Sequence, residues 1–364
     1  MRAIDVVPYL LERRLLDSRD VMRPGLSIVA APRRNNNFKV INPDGSGLLV
    51  KQAVSPDRAL TLAREASAYQ MFTTAPGPAR PWIPTFHRYD DESAILVLGL
   101  LPGAQTIGEH VAGTGRASRG IATALGTQVA ELHALDVPMK DDARNHPLFD
   151  GPPWILDVAC PDASVLQTSS AASLQLIRLV QSSTEFCELI DGLRQNWRID
   201  SLVHRDLRWD NCLFPRGAAR KRAPVTIVDW EMCGKGDAAW DLGTLFGGYL
   251  RLWLGSVPII GDVPLERALG QARFPLEKLH PAMRSLWDAY LSKRAATAEA
   301  PTELAIRVSR FAAANLLQTV FETAQASMTF SPHLTYFVQL SFNILQRPAE
   351  AAVHLLGLDL ETGI

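Results

Sequence analysis

The hydrophobic pattern changes character part-way along the chain. Between about Val6 and Leu16 the apolar positions Val6, Leu10, Leu11 and Leu15 recur at helical spacing, which predicts an opening helix with Pro8 in its first turn. Three short apolar runs come next, Leu26–Ala30, Phe38–Ile41 and Leu48–Ala53, separated by polar or glycine-rich breaks. The break Asn42-Pro43-Asp44-Gly45-Ser46-Gly47 is turn chemistry, so the runs are expected to form an antiparallel meander. Pro56 and Asp57 open a helical segment that continues to Phe72, with Leu60, Ala63, Ala66, Ala68 and Tyr69 as its apolar positions. A proline-rich stretch, Ala75–Pro84, leads into a strand pair whose second member is Ala94–Leu98. Gly99-Leu100-Leu101-Pro102-Gly103 then interrupts the pattern. Helical periodicity dominates the rest of the chain, as in 120–135, 171–182, 185–197 and 301–326.

This order predicts an α+β chain: a small lobe, 1–99, with an antiparallel sheet, and a larger, mainly helical lobe, 100–364. A length of 364 residues suits two such lobes around a cleft. Composition narrows the partners. Lys and Arg number 37 against 38 Asp and Glu, so there is no overall basic field for nucleic acid or an anionic membrane, and neither is expected as a partner. Cys160, Cys187, Cys212 and Cys233 show neither Cys-x-x-Cys pairing nor zinc-like spacing and read as reduced packing residues. Met1-Arg2-Ala3-Ile4-Asp5 lacks the apolar core of a signal peptide, and no apolar run approaches a bilayer span; the expectation is a soluble, cytoplasmic protein.

The chemistry is concentrated in Leu202-Val203-His204-Arg205-Asp206-Leu207-Arg208-Trp209-Asp210-Asn211 and in Val225-Thr226-Ile227-Val228-Asp229-Trp230-Glu231. In the His-Arg-Asp-Leu-x-x-x-Asn pattern of phosphoryl-transferring enzymes, an Asp meets the substrate hydroxyl and an Asn five residues later holds a magnesium ion. Asp206 and Asn211 have that spacing, and Asp229 ends the next apolar run, where a second carboxylate would grip the metal bridging the ATP phosphates. Such an enzyme works by aligning an alcohol with a γ-phosphate and neutralising charge, so these groups must converge. A hairpin of Cys212–Phe214 with Val225–Val228 would place Asn211 and Asp229 at neighbouring strand ends.

The amino-terminal part supplies the other requirement, a lysine on the phosphates kept in place by a helical glutamate. Lys51 at a strand end and Glu65 on the next helix fit those roles. A Gly-x-Gly-x-x-Gly loop is missing; Ala31-Pro32-Arg33-Arg34-Asn35-Asn36-Asn37-Phe38 stands in its place, and Arg34 and Asn36 are candidates for phosphate contact. Adenine is expected against the interlobe segment, on backbone groups near Leu98, Gly99 and Leu100.

With these residues assembled, the chain resembles the aminoglycoside phosphotransferase and choline kinase-like family, relatives of the protein kinases. His204–Asn211 is similar to its catalytic loop, and Asp229-Trp230-Glu231 stands where protein kinases carry Asp-Phe-Gly. Gly234-Lys235-Gly236-Asp237-Ala238-Ala239-Trp240-Asp241-Leu242-Gly243 resembles the family's Gly-x-Gly-Asp-Pro-x-x-Asp-Leu-Ala segment, with Ala238 replacing the proline. Leu125–Leu135 is similar to the helix before the substrate-side insertion. The resemblance implies a bilobal protein kinase-like fold. It also implies ATP and Mg2+ as cofactors, Asp206 as base, Asn211 and Asp229 on the metal, Lys51 on phosphate, Glu65 orienting Lys51, and Asp241 bracing the catalytic loop through backbone amides.

The acceptor is harder to read. No dense acidic cluster announces a polycationic aminoglycoside. Phe311–Glu322 and Leu340–Pro348 resemble the kinase-like proteins of ribosomal peptide natural-product (class V lanthipeptide or thioamide) biosynthesis, which implies a precursor-peptide Ser or Thr as acceptor and a separate lyase as partner. The alternatives are a small-molecule kinase acting on an aminoglycoside, a macrolide or a metabolite alcohol, and a pseudokinase serving as a peptide-binding scaffold. Arg216, Arg220, Lys221 and Arg222 form a basic hairpin tip, read chiefly as a solvated turn.

Overall fold

A computed structural model describes every residue except 32–34, 76–79, 137–150, 218–224, 259–264, 295–298, 328 and 361–364. In chain order the first elements are α1 (Ala3–Glu12), α2 (Ser18–Met22), β1 (Ser27–Ala30), β2 (Asn36–Ile41), β3 (Gly47–Gln52), α3 (Pro56–Thr74), β4 (Phe86–Asp90), β5 (Ile95–Gly99) and β6 (Ala104–Thr106). Next come α4 (Ile107–Thr114), α5 (Arg119–His133), α6 (Ala163–Thr168), α7 (Ala171–Gln181), α8 (Thr184–Gln195), β7 (Ser201–Val203), β8 (Cys212–Pro215), β9 (Thr226–Ile227) and β10 (Gly234–Gly236). The remainder is helical: α9 (Ala238–Gly255), α10 (Leu265–Leu269), α11 (Leu276–Lys293), α12 (Pro301–Gln325), α13 (Pro332–Gln346) and α14 (Pro348–His354). Two compact units result, one holding Met1–Ile107 and Asp210–Cys233, the other Gly108–Leu135, Asp150–Trp209 and Gly234–Ile364.

The first unit is organised by an antiparallel sheet of order β1-β2-β3-β5-β4. Phe38, Val40, Leu48, Val50, Ile95 and Val97 present one face of it to Val6, Tyr9 and Leu10 of α1. Because successive side chains alternate, the face opposite Val50 receives Lys51, whose cross-strand neighbour is Leu96. Helix α1 starts at Ala3 rather than near Val6, because the Asp5 carboxylate accepts the Arg2 backbone N–H at 2.8 Å and caps the turn there. Pro8 therefore lies inside the helix. The carbonyl it leaves without an intrahelical donor is that of Ile4, a residue 74 % exposed, where water can serve.

Helix α3 begins at Pro56, as the sequence predicts, behind a Ser55 cap; Ala63, Ala66, Ala68 and Tyr69 of the expected stripe are buried, whereas Leu60 is exposed and Leu62 is buried. The buried face includes a carboxylate, Glu65, about one turn from both Leu62 and Tyr69. Phe72 meets Trp82 and Trp230 edge-on, with centroids at 5.6 and 4.6 Å, which ties the helix to the segment after β9.

The second unit is a helical assembly built around two packed pairs, α5 with α11 and α9 with α12, and a short antiparallel pair, β7 with β10. No helix among the described residues is long and apolar enough to cross a membrane. The α5–α11 contact depends on Gly126. A Cβ added there would stand 2.2 Å from the Leu286 carbonyl oxygen and 3.1 Å from the Ala289 Cβ, both on the facing helix. Gly126→Ala is expected to force the helices apart and to lower stability by about 1–3 kcal/mol in urea unfolding; an unchanged midpoint would show that the helices close by another route.

Candidate active site

In the first unit the Lys51 ammonium is held by three carboxylate oxygens. It donates to Glu65 Oε1 at 2.7 Å and Oε2 at 2.9 Å, and to Asp229 Oδ1 at 3.0 Å. Glu65 is 1 % exposed. Burial pushes its carboxyl up to about 7 against the opposing pull of Lys51. Burial also works against the charge on Lys51, but the Glu65 and Asp229 carboxylates outweigh it and raise its pKa, so the amine is a fixed cation.

Asp229 reaches this cluster from a left-handed backbone, φ 70° and ψ 54°, between β9 and a single 3-10 turn, Trp230–Met232. Asp tolerates that conformation better than most side chains. Its neighbour Trp230 is fully buried against Phe72 and donates its indole N–H to the Ile227 carbonyl at 2.9 Å, which holds the turn. The hairpin expected from sequence is present: Cys212 pairs with Ile227 and Leu213 with Thr226. The Val228 N–H then donates to the Asn211 carbonyl at 3.0 Å, so Asn211 and Asp229 emerge at neighbouring strand ends.

The second unit carries Asp206 in the loop after β7. Asp241, in the first turn of α9, is fully buried and accepts the backbone N–H groups of His204 at 2.7 Å and Arg205 at 2.9 Å. The His133 ring lies 3.3 Å from the same carboxylate and 3.0 Å from the Tyr290 hydroxyl. Burial pushes the Asp241 carboxyl up, but the His133 contact and the His204 amide prevail and hold it below the ordinary 3.8. Arg205 has φ 70°. Its amide on Asp241, its carbonyl on the Trp240 indole at 2.8 Å and its guanidinium on the Gly151 carbonyl at 2.8 Å keep it there. The His204 Nδ1 lies 3.2 Å from the Asp206 amide, a packed scaffold contact. The Asp206 carboxylate is engaged by Arg208, 2.8 Å from Nε, and Arg208 reaches Glu322 of α12 at 2.6 Å.

Other expectations fare differently. Arg34 lies outside the described residues, as do Arg220, Lys221 and Arg222 of the hairpin tip. Asn36 is part of β2, opposite Gln52, rather than in a loop. The side-chain oxygens of Asn35 and Asn37 are buried without a hydrogen-bond partner. Leu98 is buried in β5; the N–H of Gly99 is taken by the Thr85 carbonyl at 2.7 Å and that of Leu100 by Gly47 at 2.8 Å, which removes both donors from the expected adenine edge. Sequence reasoning quoted His133 and Arg208 only as parts of motifs. Their roles as partners of Asp241 and Asp206 arise from tertiary contacts, although the position of Arg208 two residues after Asp206 is itself a signal.

The sequence profile of the phosphotransferase enzyme family (APH) matches residues 26–284. The chain belongs to this family. As a phosphotransferase it acts on a hydroxyl acceptor, and its fold is the bilobal kinase-like one expected. No curated protein matches the sequence significantly. Among solved structures the phosphotransferase is similar to an ethanolamine kinase of Plasmodium vivax, with 12 % identity, TM-score 0.58, and 95 % of this chain and 88 % of that one covered. It is similar to an amicoumacin kinase solved with AMP-PNP, Ca2+ and Ami, at 15 % identity and TM-score 0.51, covering 93 % and 95 %. It also resembles a choline/ethanolamine kinase family protein of Mesorhizobium loti, at 15 % identity and TM-score 0.50, covering 97 % and 95 %. These likenesses bear on the fold of the phosphotransferase alone.

Asp241 gives this phosphotransferase a measurable anchor. Asp241→Ala leaves two buried amides without an acceptor and is expected to cost about 3 kcal/mol in denaturant unfolding. The sign with pH follows from a depressed native pKa: the stabilisation is complete above 3.8 and is lost only as pH falls below it through the native value. The stability difference between wild type and variant is therefore expected to stay flat across neutral pH, and a difference that vanished near neutrality would contradict the assignment.

Proposed function

We propose that this phosphotransferase is an ATP- and Mg2+-dependent kinase of a small hydroxyl-bearing molecule. The observation that carries the reading is the Lys51 ammonium shared between Glu65 and Asp229. A buried cation held at a helical glutamate suits the α- and β-phosphates of a nucleotide, and Asp229 beside it suits their metal. Among the described residues no group of three or more His, Cys, Asp or Glu is placed to hold a metal ion. Asn211 and Asp229 would hold a magnesium ion together with nucleotide phosphate oxygens, the mode this small, hard cation favours. When bound, the ion neutralises charge on the phosphates.

In this reading Asp206 accepts the proton of the acceptor hydroxyl. The O–H bond breaks as oxygen bonds to the γ-phosphorus, the bond from that phosphorus to the β,γ-bridging oxygen breaks, and ADP leaves. Asp241 holds the loop that presents Asp206, and Glu65 orients Lys51. The family assignment and the similarity to ethanolamine, choline and amicoumacin kinases support a small acceptor. They lend no support to a precursor peptide or to a lyase partner. The intact set Lys51, Asp206, Asn211 and Asp229 speaks against a silent scaffold.

The test is transfer of labelled γ-phosphate from MgATP to choline, ethanolamine, aminoglycosides, macrolides and Ser/Thr-containing peptides. Label is expected on a small molecule in the wild type; label on peptide alone would overturn the acceptor class, and binding of ATP without any transfer would revive the scaffold. Asp206→Asn is expected to lower kcat by about 10²–10⁴ while ATP affinity is kept, as measured by calorimetry. Asp229→Ala is expected to lose the magnesium-dependent part of ATP affinity, and wild-type MgATP binding in that variant would remove the metal role.

A further inference from the structure

We propose that Arg208 is a positioning residue for Asp206 and that Glu322 of α12 holds Arg208 in that role. Arg208 spans two carboxylates. Its Nε lies 2.8 Å from Asp206 Oδ1, its NH2 donates to Asp206 Oδ2 at 3.2 Å, and its NH1 donates to Glu322 Oε2 at 2.6 Å. Glu322 is itself fixed, accepting from the Gln318 amide one helical turn earlier at 3.0 Å. The inference rests on the reading of Asp206 as the base.

The geometry has a directional consequence. The guanidinium meets both oxygens of the carboxylate, with one hydrogen bond to Oδ2 and the Nε charge 2.8 Å from Oδ1, which restricts the turning of that carboxylate more than a contact to one oxygen does. A base restricted in this way meets the acceptor hydroxyl in a narrower range of orientations, and each oxygen keeps lone-pair capacity for it. Glu322 matters because a guanidinium with a second anchor cannot swing away with the side chain it serves. The contacts would add little to stability, since Glu322 is 41 % and Arg208 31 % exposed and exposed ion pairs contribute about 0–1 kcal/mol. What they fix is orientation. Glu322 also lies beyond residues 26–284, so a helix outside the family-matched segment sets the catalytic loop.

The experiment uses the full chain and steady-state transfer from MgATP to the best acceptor of the panel, or to water as ATP hydrolysis where the panel gives none. Arg208→Gln is expected to lower kcat by at least about tenfold with the KM for ATP little changed, Arg208→Lys to recover part of the loss, and Glu322→Gln to lower kcat by a few-fold, about 3 to 10. An equal loss in lysine and glutamine variants, or wild-type kcat in Glu322→Gln, would overturn the positioning role. Asp206→Asn separates the two readings: if it turns over normally the base assignment fails, whereas if it alone is inactive and the Arg208 and Glu322 variants are unimpaired, only the positioning role fails. Thermal unfolding gives a readout independent of turnover. The Arg208→Gln/Glu322→Gln double variant is expected to be no less stable than the weaker single variant, and strictly additive losses would show that the two side chains do not interact.

Discussion

Taking an ammonium out of water costs several kcal/mol unless carboxylates and hydrogen bonds replace its solvent, and Lys51 meets that demand with Glu65 on one side and Asp229 on the other. Much of the first unit is arranged around this single charge. Lys51 stands on the sheet face opposite Val50 and the α1 contact, Glu65 comes from α3, and Asp229 comes from the end of the β8–β9 hairpin. One cation thus ties strand, helix and hairpin together. It also bears on the inward face of α3, because a helix that aims Glu65 inward carries Leu62 and Tyr69, three and four residues away, in with it.

The second unit solves a related problem with an anion. Asp241 is buried with its oxygens on two consecutive amides and a histidine, so the loop before Asp206 has its backbone polarity satisfied by a side chain 37 residues away from His204. The helix presenting it is itself anchored: Asp237 caps α9 at the Ala239 amide and pairs with Arg307 at 2.8 Å, while burial pushes its carboxyl up to about 6. Each unit therefore relies on a buried carboxylate, Glu65 on the Lys51 ammonium and Asp241 on the backbone amides before Asp206.

The sequence made the strands, the helix Pro56–Phe72, the hairpin and the Lys51–Glu65 pair legible, because each rests on local periodicity, turn residues or a motif with fixed spacing. What stayed hidden depends on distance along the chain or on backbone already in use. Nothing local to Pro8 reveals that Asp5 starts the helix earlier. Asn36 reads as loop until its partner Gln52 is known, and the Gly99 and Leu100 amides look available until Thr85 and Gly47 claim them. The contact of Arg208 with Glu322 spans 114 residues, beyond any window of periodicity.

Asp229 combines a charge requirement with a backbone requirement, since its residue must hold a carboxylate at φ 70°. Aspartate is the acidic residue that enters the left-handed region most readily, so backbone and charge select the same amino acid. Glutamate would bring its carboxylate on a longer arm and without that backbone preference. Any substitution at this position therefore changes charge and backbone preference together, and the reach of the anion depends on the turn that the Trp230 indole holds in place.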